Sequence, residues 1–180
     1  MEGHCGKLSG IGGGISEDFA LMERLAYLLK QRLPGLFRLV EAVARAVTGA
    51  RYGRRIAEAQ NQAVIEGSVN GDPASIRPLD SSDAEALHEF LTNLPPGWLQ
   101  YFQPHPFDRA GLEKVLRSRA FMNYGLFIES RMVGYALLKV APTGSAFIGL
   151  LVHPEYGRLG LGKFIVAFLY WQASLAGLRT

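Results

Sequence analysis

A short stretch near the end of the 180-residue chain, 152-VHPEYGRLGLGKF-164, concentrates the residue types that bind anions. Three glycines, one arginine and one lysine lie within residues 157–163. Glycines let a ligand approach the backbone where a Cβ would otherwise intervene. Because an apolar run precedes this stretch and a helical pattern follows it, the N–H groups of the loop and of the first helical turn would meet the same ligand. The spacing therefore predicts a site for a phosphate or a similar anion.

Two nucleotide-binding motifs fit this stretch only in part. G-x-x-x-x-G-K is satisfied over residues 157–163, but Phe164 stands where a P-loop has the Ser or Thr that holds magnesium. The sixteen residues after Phe164 also leave no room for the strand that carries the magnesium aspartate. A dinucleotide fingerprint, G-x-G-x-x-G, would begin at Gly160 and need a small residue in place of Ile165. A further alternative is a glycine-rich turn that binds nothing.

The elements that would position this loop follow from hydrophobic periodicity. From residue 76 onward the sequence predicts, in order, a strand at 76–79, helices through 84–91 and 109–119, strands at 124–128, 133–140 and 146–152, and a helix at 162–176. The strand at 146–152 is apolar on both faces, which favours a central position in the sheet. Residues 129–132 are expected to turn between two strands, and Gly177 is expected to end the last helix.

Residues 1–74 are predicted to form a glycine-rich start, a basic helical leader and a linker, ahead of a domain at 75–180. One helix is expected to start at Ser16 and a second to run through residues 36–47, and residues 60–75 are interpreted as the linker. Between residues 30 and 55 the only acid is Glu41, whereas the basic residues are Lys30, Arg32, Arg38, Arg45, Arg51, Arg54 and Arg55. A basic amphipathic helix either binds an anionic membrane surface or acidic partner, or packs on the domain with its charged face in solvent.

Composition limits the function classes only loosely. The chain is 48% hydrophobic and 19% charged, which is typical of a globular protein, and its net charge of +3 selects no particular anionic partner. The single cysteine, Cys5, excludes an intramolecular disulfide, and no secretory signal or apolar span is evident, so a cytoplasmic location is expected. His4 and Cys5 are too few ligands for a metal, and none is predicted. The arginines lack the aromatic interleaving of a nucleic-acid platform, so no nucleic-acid partner is predicted.

Residues 75–180 resemble the GCN5-related N-acetyltransferase (GNAT) family. The resemblance rests on Ile76-Arg77-Pro78 ahead of a capped helix, the hairpin 124-YGLFIESRMVGYALLKV-140, the strand 147-FIGLLV-152, the step Val152-His153-Pro154, and the loop pattern Gln/Arg-x-x-Gly-x-Gly/Ala, whose glycines are Gly160 and Gly162. Gly157 stands at the Gln or Arg position, and Arg158 follows one residue later. The fold class that this implies is α/β, more narrowly an α+β mixed sheet with a βααβββα core and an N-terminal helical segment. The family's sheet continues beyond the last helix, so the resemblance also implies a core that is incomplete at the C-terminus.

The resemblance implies an acetyl-CoA-dependent N-acyltransferase, in which an amine of a small molecule or protein attacks the thioester directly. The backbone of Leu150, Leu151 and Val152 would pair with the pantetheine arm. The pyrophosphate would be held by the amides of Arg158, Leu159, Gly160, Leu161, Gly162 and Lys163. The alternative function is a catalytically impaired or truncated GNAT-like binding module, tethered to a membrane surface or partner through the basic leader.

Candidate catalytic and acceptor-binding residues are few. His153 follows the strand at 146–152 and is a candidate general base, since histidine ordinarily titrates near neutrality. Glu129 is a second candidate, although a solvated turn residue is the alternative interpretation. The resemblance assigns the aromatic segment 98–108 to the acceptor side, where Trp98, Tyr101 and His105 would contact the substrate; packing around the neighbouring prolines is the alternative for His105.

Overall fold

The computed structural model describes residues 34–100 and 102–180, which contain four α-helices and five β-strands. The chain divides between residues 43 and 44, and residues 44–180 form one compact unit. The helix predicted to start at Ser16 lies outside the described residues. The helices are α1 (Pro34–Gln60), α2 (Ala84–Thr92), α3 (Arg109–Leu116) and α4 (Leu161–Leu175), and the strands are β1 (Ile65–Val69), β2 (Asp72–Pro78), β3 (Phe121–Ile128), β4 (Arg131–Val140) and β5 (Ala146–Val152).

The five strands form one antiparallel sheet in the order β1-β2-β3-β4-β5. The prediction of a mixed sheet was therefore wrong for the five strands, because each one reverses direction relative to its neighbour. The order of elements from β2 onward does match the predicted βααβββα core. Within the described residues, parallel pairing is limited to an isolated bridge between Ser145 and Arg179.

Strand β5 is an edge strand, and the prediction that it lies at the centre of the sheet was wrong. Its apolar character has another cause, since different elements cover its two faces. Ile148 and Leu150 pack toward the face that carries α4, whereas Leu151 packs toward the face that carries α2 and α3. The strands that are buried along nearly their whole length are β3 and β4.

Residues 65–78, which include most of the predicted linker, form the β1–β2 hairpin. Asn70 and Gly71 both have positive φ, at 54° and 97°, as the two central residues of a tight hairpin turn require. The domain boundary predicted between residues 74 and 75 consequently falls inside β2.

Residues 44–60 of α1 and the whole of α4 cover one face of the sheet. Tyr52, Ile56 and Ala59 recur at helical spacing, and each is buried in the core cluster to which Ile165 and Leu169 of α4 also belong. Helix α1 therefore continues well beyond the predicted stretch 36–47, because its second half supplies core side chains.

Helices α2 and α3 cover the opposite face and match their predicted positions. Asp80 and Asp83 form a capping box at the short turn that leads into α2. Arg77 donates to both oxygens of Asp83 over 2.9 and 2.7 Å, and these bonds lower the pKa of that carboxyl below its ordinary value. The Ile76-Arg77-Pro78 step thus fixes where the helical layer begins.

In the part of the chain that the structure describes, every helix is too short or too polar to cross a membrane.

Candidate anion site at the end of β5

The glycine loop joins β5 to α4 through one short helical turn. The N–H of His153 donates to the carbonyl oxygen of Val133 over 2.8 Å, which ties the end of β5 to β4. A 3₁₀ turn follows at Pro154–Tyr156, and the N–H of Gly157 closes it by donating to the Pro154 carbonyl over 2.9 Å. Gly160 has a φ of 78° and is the N-cap of α4.

The backbone amides of residues 158–163 find no hydrogen-bond acceptor among the described residues. The first helical bond of α4 belongs to Phe164, whose N–H donates to the Gly160 carbonyl over 3.1 Å. A Cβ added to Gly160 or Gly162 would meet no atom within 4 Å, so a ligand has room to reach this backbone. Unpaired amides at a helix N-terminus carry partial positive charge and favour anions. These residues therefore fit a pyrophosphate group.

Arg158 stands in this run with its backbone in the left-handed region, at a φ of 63°. Its side chain is exposed and makes no ion pair or hydrogen bond within the described residues. The preceding residue, Gly157, has an ordinary extended conformation with φ −64° and ψ 157°. Lys163 is also exposed, so the loop presents two cations.

The outer edge of β5, which includes Leu150, Leu151 and Val152, has no strand partner among the described residues beyond its first residue. At that first residue the N–H of Ala146 donates to the Arg179 carbonyl over 2.7 Å, and the N–H of Arg179 donates to the Gly144 carbonyl over 2.9 Å. An extended ligand could pair with the remaining edge as another strand would.

His153 is nearly buried where β5 meets the loop. Its Nδ1 accepts the N–H of Glu155 over 3.4 Å and lies 3.6 Å from Glu155 Oε2. Arg131 Nη1 approaches the same carboxylate oxygen at 3.9 Å. No partner for His153 Nε2 is found in the described part of the chain.

Glu129 and Trp98 are both exposed. Glu129 lies in the turn between β3 and β4 with a φ of 55°, and its N–H donates to the Pro73 carbonyl over 2.7 Å. Trp98 keeps 46% of its surface accessible. Tyr101, which was predicted with Trp98 to contact the acceptor, lies outside the described residues.

His105, by contrast, is buried against Phe107, Phe121 and Tyr135. Its Nδ1 lies 2.9 Å from the Pro106 carbonyl oxygen and its Nε2 lies 2.9 Å from Tyr135 Oη. Burial lowers the pKa of His105 below its ordinary value, because the charged ring would be desolvated. The surroundings of His105 are therefore those of a packed side chain, as in the alternative interpretation of packing around the neighbouring prolines.

With a neutral His105 ring, the Tyr135 hydroxyl has one proton to share between two acceptors, His105 Nε2 and Asn123 Oδ1. A carbonyl only accepts, so Nδ1 must donate to Pro106. Nε2 then needs the proton of the Tyr135 hydroxyl, which also lies 2.8 Å from Asn123 Oδ1. Protonation of His105 would free that hydroxyl for Asn123, but the cost of burying the charge opposes it.

Phe102 is a contact that the sequence analysis did not single out. A Cβ added to Gly149 would lie 3.0 Å from the Phe102 ring, so the glycine lets the aromatic segment pack directly on β5. A lone glycine inside a strand is a signal for such close approach and could have indicated this contact. Phe102 also packs against Phe107 and Tyr135, which fixes the segment beside the sheet.

Fold and site together define an α+β domain in which a loop of unpaired backbone amides lies beside an edge strand. The family model described as "Acetyltransferase (GNAT) family" matches residues 84–179. The chain therefore belongs to the GNAT family, which comprises acetyltransferases that bind coenzyme A.

One solved structure with a TM-score above 0.5 supports the same fold. The GNAT domain of S. lividans PAT is 16% identical over 66% of this chain and 76% of that chain, with a TM-score of 0.57. Ribosomal-protein-alanine N-acetyltransferase from Brucella melitensis biovar Abortus 2308 is 22% identical over 58% and 74% of the two chains, with a TM-score of 0.45. The PaiA N-acetyltransferase of Thermoplasma acidophilum, solved with coenzyme A, is 20% identical over 58% and 74%, with a TM-score of 0.48. No curated protein sequence matches the chain.

Proposed function

We propose that this protein is an acetyl-CoA-dependent N-acyltransferase that acetylates an amine of a small molecule or protein. The observation that carries the proposal is the run of unpaired amides at residues 158–163, in a chain of the GNAT family. The open outer edge of β5 beside that run supports it, because an elongated cofactor needs backbone groups that pair with its arm as well as amides that bind its phosphates.

The proposed cofactor site divides between the loop and the strand. The amides of Arg158, Leu159, Gly160, Leu161, Gly162 and Lys163 would hold the pyrophosphate of acetyl-CoA. The backbone of Leu150, Leu151 and Val152 would pair with its pantetheine arm. When bound, acetyl-CoA supplies an acetyl thioester that the acceptor amine attacks directly.

The chain contributes chiefly by positioning. Strand β5 itself has only apolar residues and glycine, so a proton acceptor must come from elsewhere. We propose His153 for this role, because its Nε2 has no partner in the described residues. Since Nδ1 accepts the Glu155 N–H in this structure, the ring proton lies on Nε2. The ring must therefore release that 3.4 Å bond and take the other tautomer before Nε2 can accept a proton. Glu129 is the second candidate, and its exposure in the β3–β4 turn leaves it free to move.

We assign the acceptor side to the aromatic segment over β5. The exposed Trp98, together with Tyr101, would contact the acceptor. His105 would act on the acceptor only indirectly, because it is buried and holds the segment through Pro106 and Tyr135. The packing of Phe102 on Gly149 supports this assignment, since it brings the segment to β5.

Calorimetric titration with CoA tests the proposed site. Gly160→Asp and Gly162→Asp each place a carboxylate among the unpaired amides, and each is expected to weaken binding roughly tenfold or more. Ser174→Asp is the matched control, because it adds the same charge at an exposed position near the other end of α4. Equal affinity for wild type and both glycine variants would refute the assignment.

The alternative function is a binding module that holds CoA but does not turn it over. The absence of a titratable side chain from β5 favours this alternative. In that case the exposed Arg51, Arg54 and Arg55 of α1 would contribute to a docking surface for an anionic membrane or acidic partner. CoA binding without acetyl transfer to any amine, combined with salt-sensitive binding to phosphatidylserine vesicles, would support the module over the enzyme.

A further inference from the structure

Helix α4 lacks the polar outer face that a surface helix usually has. Its fifteen residues include one charged residue, Lys163. One side of α4 packs on the sheet, and the remaining surface exposes large apolar side chains. These are Phe164, Tyr170, Trp171 and Leu175, each with between 39% and 52% of its surface accessible. A helix that is apolar on nearly every side is ordinarily covered on every side, so this surface of α4 calls for a partner.

Three of these side chains lie along one line of the helix. Phe164, Trp171 and Leu175 follow one another at spacings of seven and four residues, which places them on a common face. The rings of Phe164 and Trp171 both pack on Phe168, with centroids 6.4 and 5.9 Å from its own. Beside Phe164 the apolar surface continues into a cavity of about 310 Å³ that is lined mostly by apolar residues. A contiguous exposed patch of this kind marks a contact surface.

Exposed arginines of α1 lie on the same side of the sheet as this patch. Residues 44–60 of α1 cover the sheet face that α4 also covers, and they expose Arg51, Arg54 and Arg55. A Cβ added to Gly177 would lie 3.3 Å from Arg55 Nη1, so this guanidinium reaches the end of α4. Neither Arg51 nor Arg55 forms an ion pair with a described residue. Cations without acidic partners therefore border the apolar patch.

Acidic residues are scarce on this side of the molecule. Across residues 44–60 and 161–175 the only acid is Glu58, which pairs with Arg54 over 2.8 Å. A second copy of the chain would bring the same arginines to the patch and, apart from Glu58, no acid to meet them. An anionic bilayer matches both features, because its acyl region receives apolar side chains and its headgroups attract arginines. Tryptophan is also enriched where these two regions meet.

We propose that α4 and the adjoining residues of α1 form a docking surface for an anionic membrane. Phe164, Trp171 and Leu175 enter the boundary of the acyl region. Arg51 and Arg55 contact the headgroups. The fifteen residues of α4 span about 22 Å, less than the roughly 30 Å of a bilayer core, so the helix lies in the membrane surface and does not cross it. This inference goes beyond the proposed function and holds whether the chain transfers an acetyl group or only binds CoA.

Tryptophan fluorescence tests the contact directly, because the chain has two tryptophans, Trp98 and Trp171. Trp98→Phe leaves Trp171 as the reporter. Its emission should shift to shorter wavelength on vesicles of equal parts phosphatidylserine and phosphatidylcholine at low salt, and brominated acyl chains should quench it. Trp171→Phe is the matched control, since it keeps the patch apolar and leaves Trp98 as the reporter. Trp98 directly precedes Leu99, which packs on the opposite sheet face, and its emission should not shift.

Cosedimentation with the same vesicles tests the apolar side chains. Leu175→Glu puts a carboxylate into the patch and is expected to weaken binding roughly tenfold. Ala110→Glu introduces the same charge at an exposed position of α3, on the other sheet face, and should bind as wild type does.

A pair of double variants tests the charges. Arg51→Gln with Arg55→Gln should weaken vesicle binding roughly tenfold or more. Lys114→Gln with Arg117→Gln removes the same charge at the end of α3 and should have little effect. All four positions are exposed, so these variants decide the matter even if Leu175→Glu does not fold. The affinity for CoA should equal that of wild type in both double variants, so failure of this inference leaves the proposed function standing.

Several results would overturn the inference. One is an emission of Trp171 that vesicles at low salt do not change. Another is equal binding to vesicles of phosphatidylcholine alone, and a third is an equal loss in the two double variants. A shift of Trp171 emission that grows with protein concentration in the absence of lipid, together with dimers in light scattering, would assign the patch to a second copy instead.

Discussion

His153 Nδ1 accepts the N–H of Glu155 over 3.4 Å, so the imidazole caps the turn that leads into the glycine loop. The backbone N–H of the same histidine donates to Val133 over 2.8 Å. One residue thus anchors the loop to the sheet and orders its first turn. The imidazole therefore has a structural task in addition to the catalytic one proposed for it.

Replacing His153 should isolate its structural task. His153→Ala removes the cap, and a lost N-cap costs about 1 kcal/mol, which corresponds to a roughly fivefold weaker affinity for CoA if the loop must reorder on binding. His153→Asn keeps an acceptor suited to a cap and is expected to bind CoA nearly as wild type does. Calorimetry with CoA makes the comparison. Equal losses in both variants would show that the ring contacts, and not the cap, hold the loop.

The burial of His105 predicts a pH dependence of stability. Its pKa is lowered in the folded protein from an ordinary 6.5, so the unfolded chain binds the proton more readily. The free energy of unfolding should hold its full value above about pH 6.5 and decline as the pH falls toward the folded pKa. Urea unfolding at several pH values between about 7.5 and 5 measures it. His105→Gln should flatten this part of the profile, and an unchanged slope in that variant would exclude His105 as the source.

Gly144 should not tolerate a side chain. Its φ is 84°, and a Cβ at this position would collide with the hydroxyl of Tyr52 on α1. Gly144→Ala is expected to lower the free energy of unfolding by about 2 kcal/mol, from backbone strain and the clash together. The double variant with Tyr52→Phe removes the hydroxyl and should recover part of the loss. Denaturant unfolding of both proteins checks the prediction, and a neutral Gly144→Ala would contradict the packing of α1 against this turn.

The open edge of β5 predicts self-association. Phe147 is 67% exposed on a strand whose outer backbone lacks a strand partner in the described residues. Light scattering should therefore detect concentration-dependent dimers or larger species. Phe147→Lys adds a charge to the edge without altering the core and should shift the protein toward monomer. A chain that is monomeric at every concentration would show that this edge is protected.

Elements with a strong internal pattern were predictable, and those set by distant contacts were not. Strand β5 has the same bounds as its prediction. Its edge position was missed because both of its faces are apolar, and this apolar character reflects cover by α4 on one face and by α2 and α3 on the other. The β1–β2 hairpin carries the Asn70-Gly71 signal, but most residues of its strands are exposed or half-buried and show little apolar alternation. These polar strands were therefore interpreted as a linker.

The features of the candidate site likewise divide into those set by local sequence and those set by distant contacts. The glycine positions of the loop and the start of α4 followed from local spacing. The burial of His105 did not, because it depends on Phe121 and Tyr135, which lie far along the chain. The left-handed backbone of Arg158 is also invisible in the sequence, since residue types alone would have placed that conformation at Gly157.

The two hydrogen bonds that join Arg179 to Gly144 and Ala146 close the chain into a ring that contains β5, the glycine loop and α4. These two bonds, here called the clasp, lie at the start of β5 and just beyond the end of α4. The unpaired amides of residues 158–163 lie at the opposite end of the ring. Such a clasp restricts how far the strand and the helix can separate, even though it contacts neither the loop nor a ligand. The clasp therefore restrains the loop from a full helix length away. Hydrogen exchange at Phe164, the first hydrogen-bonded amide of α4, should quicken whenever the clasp opens.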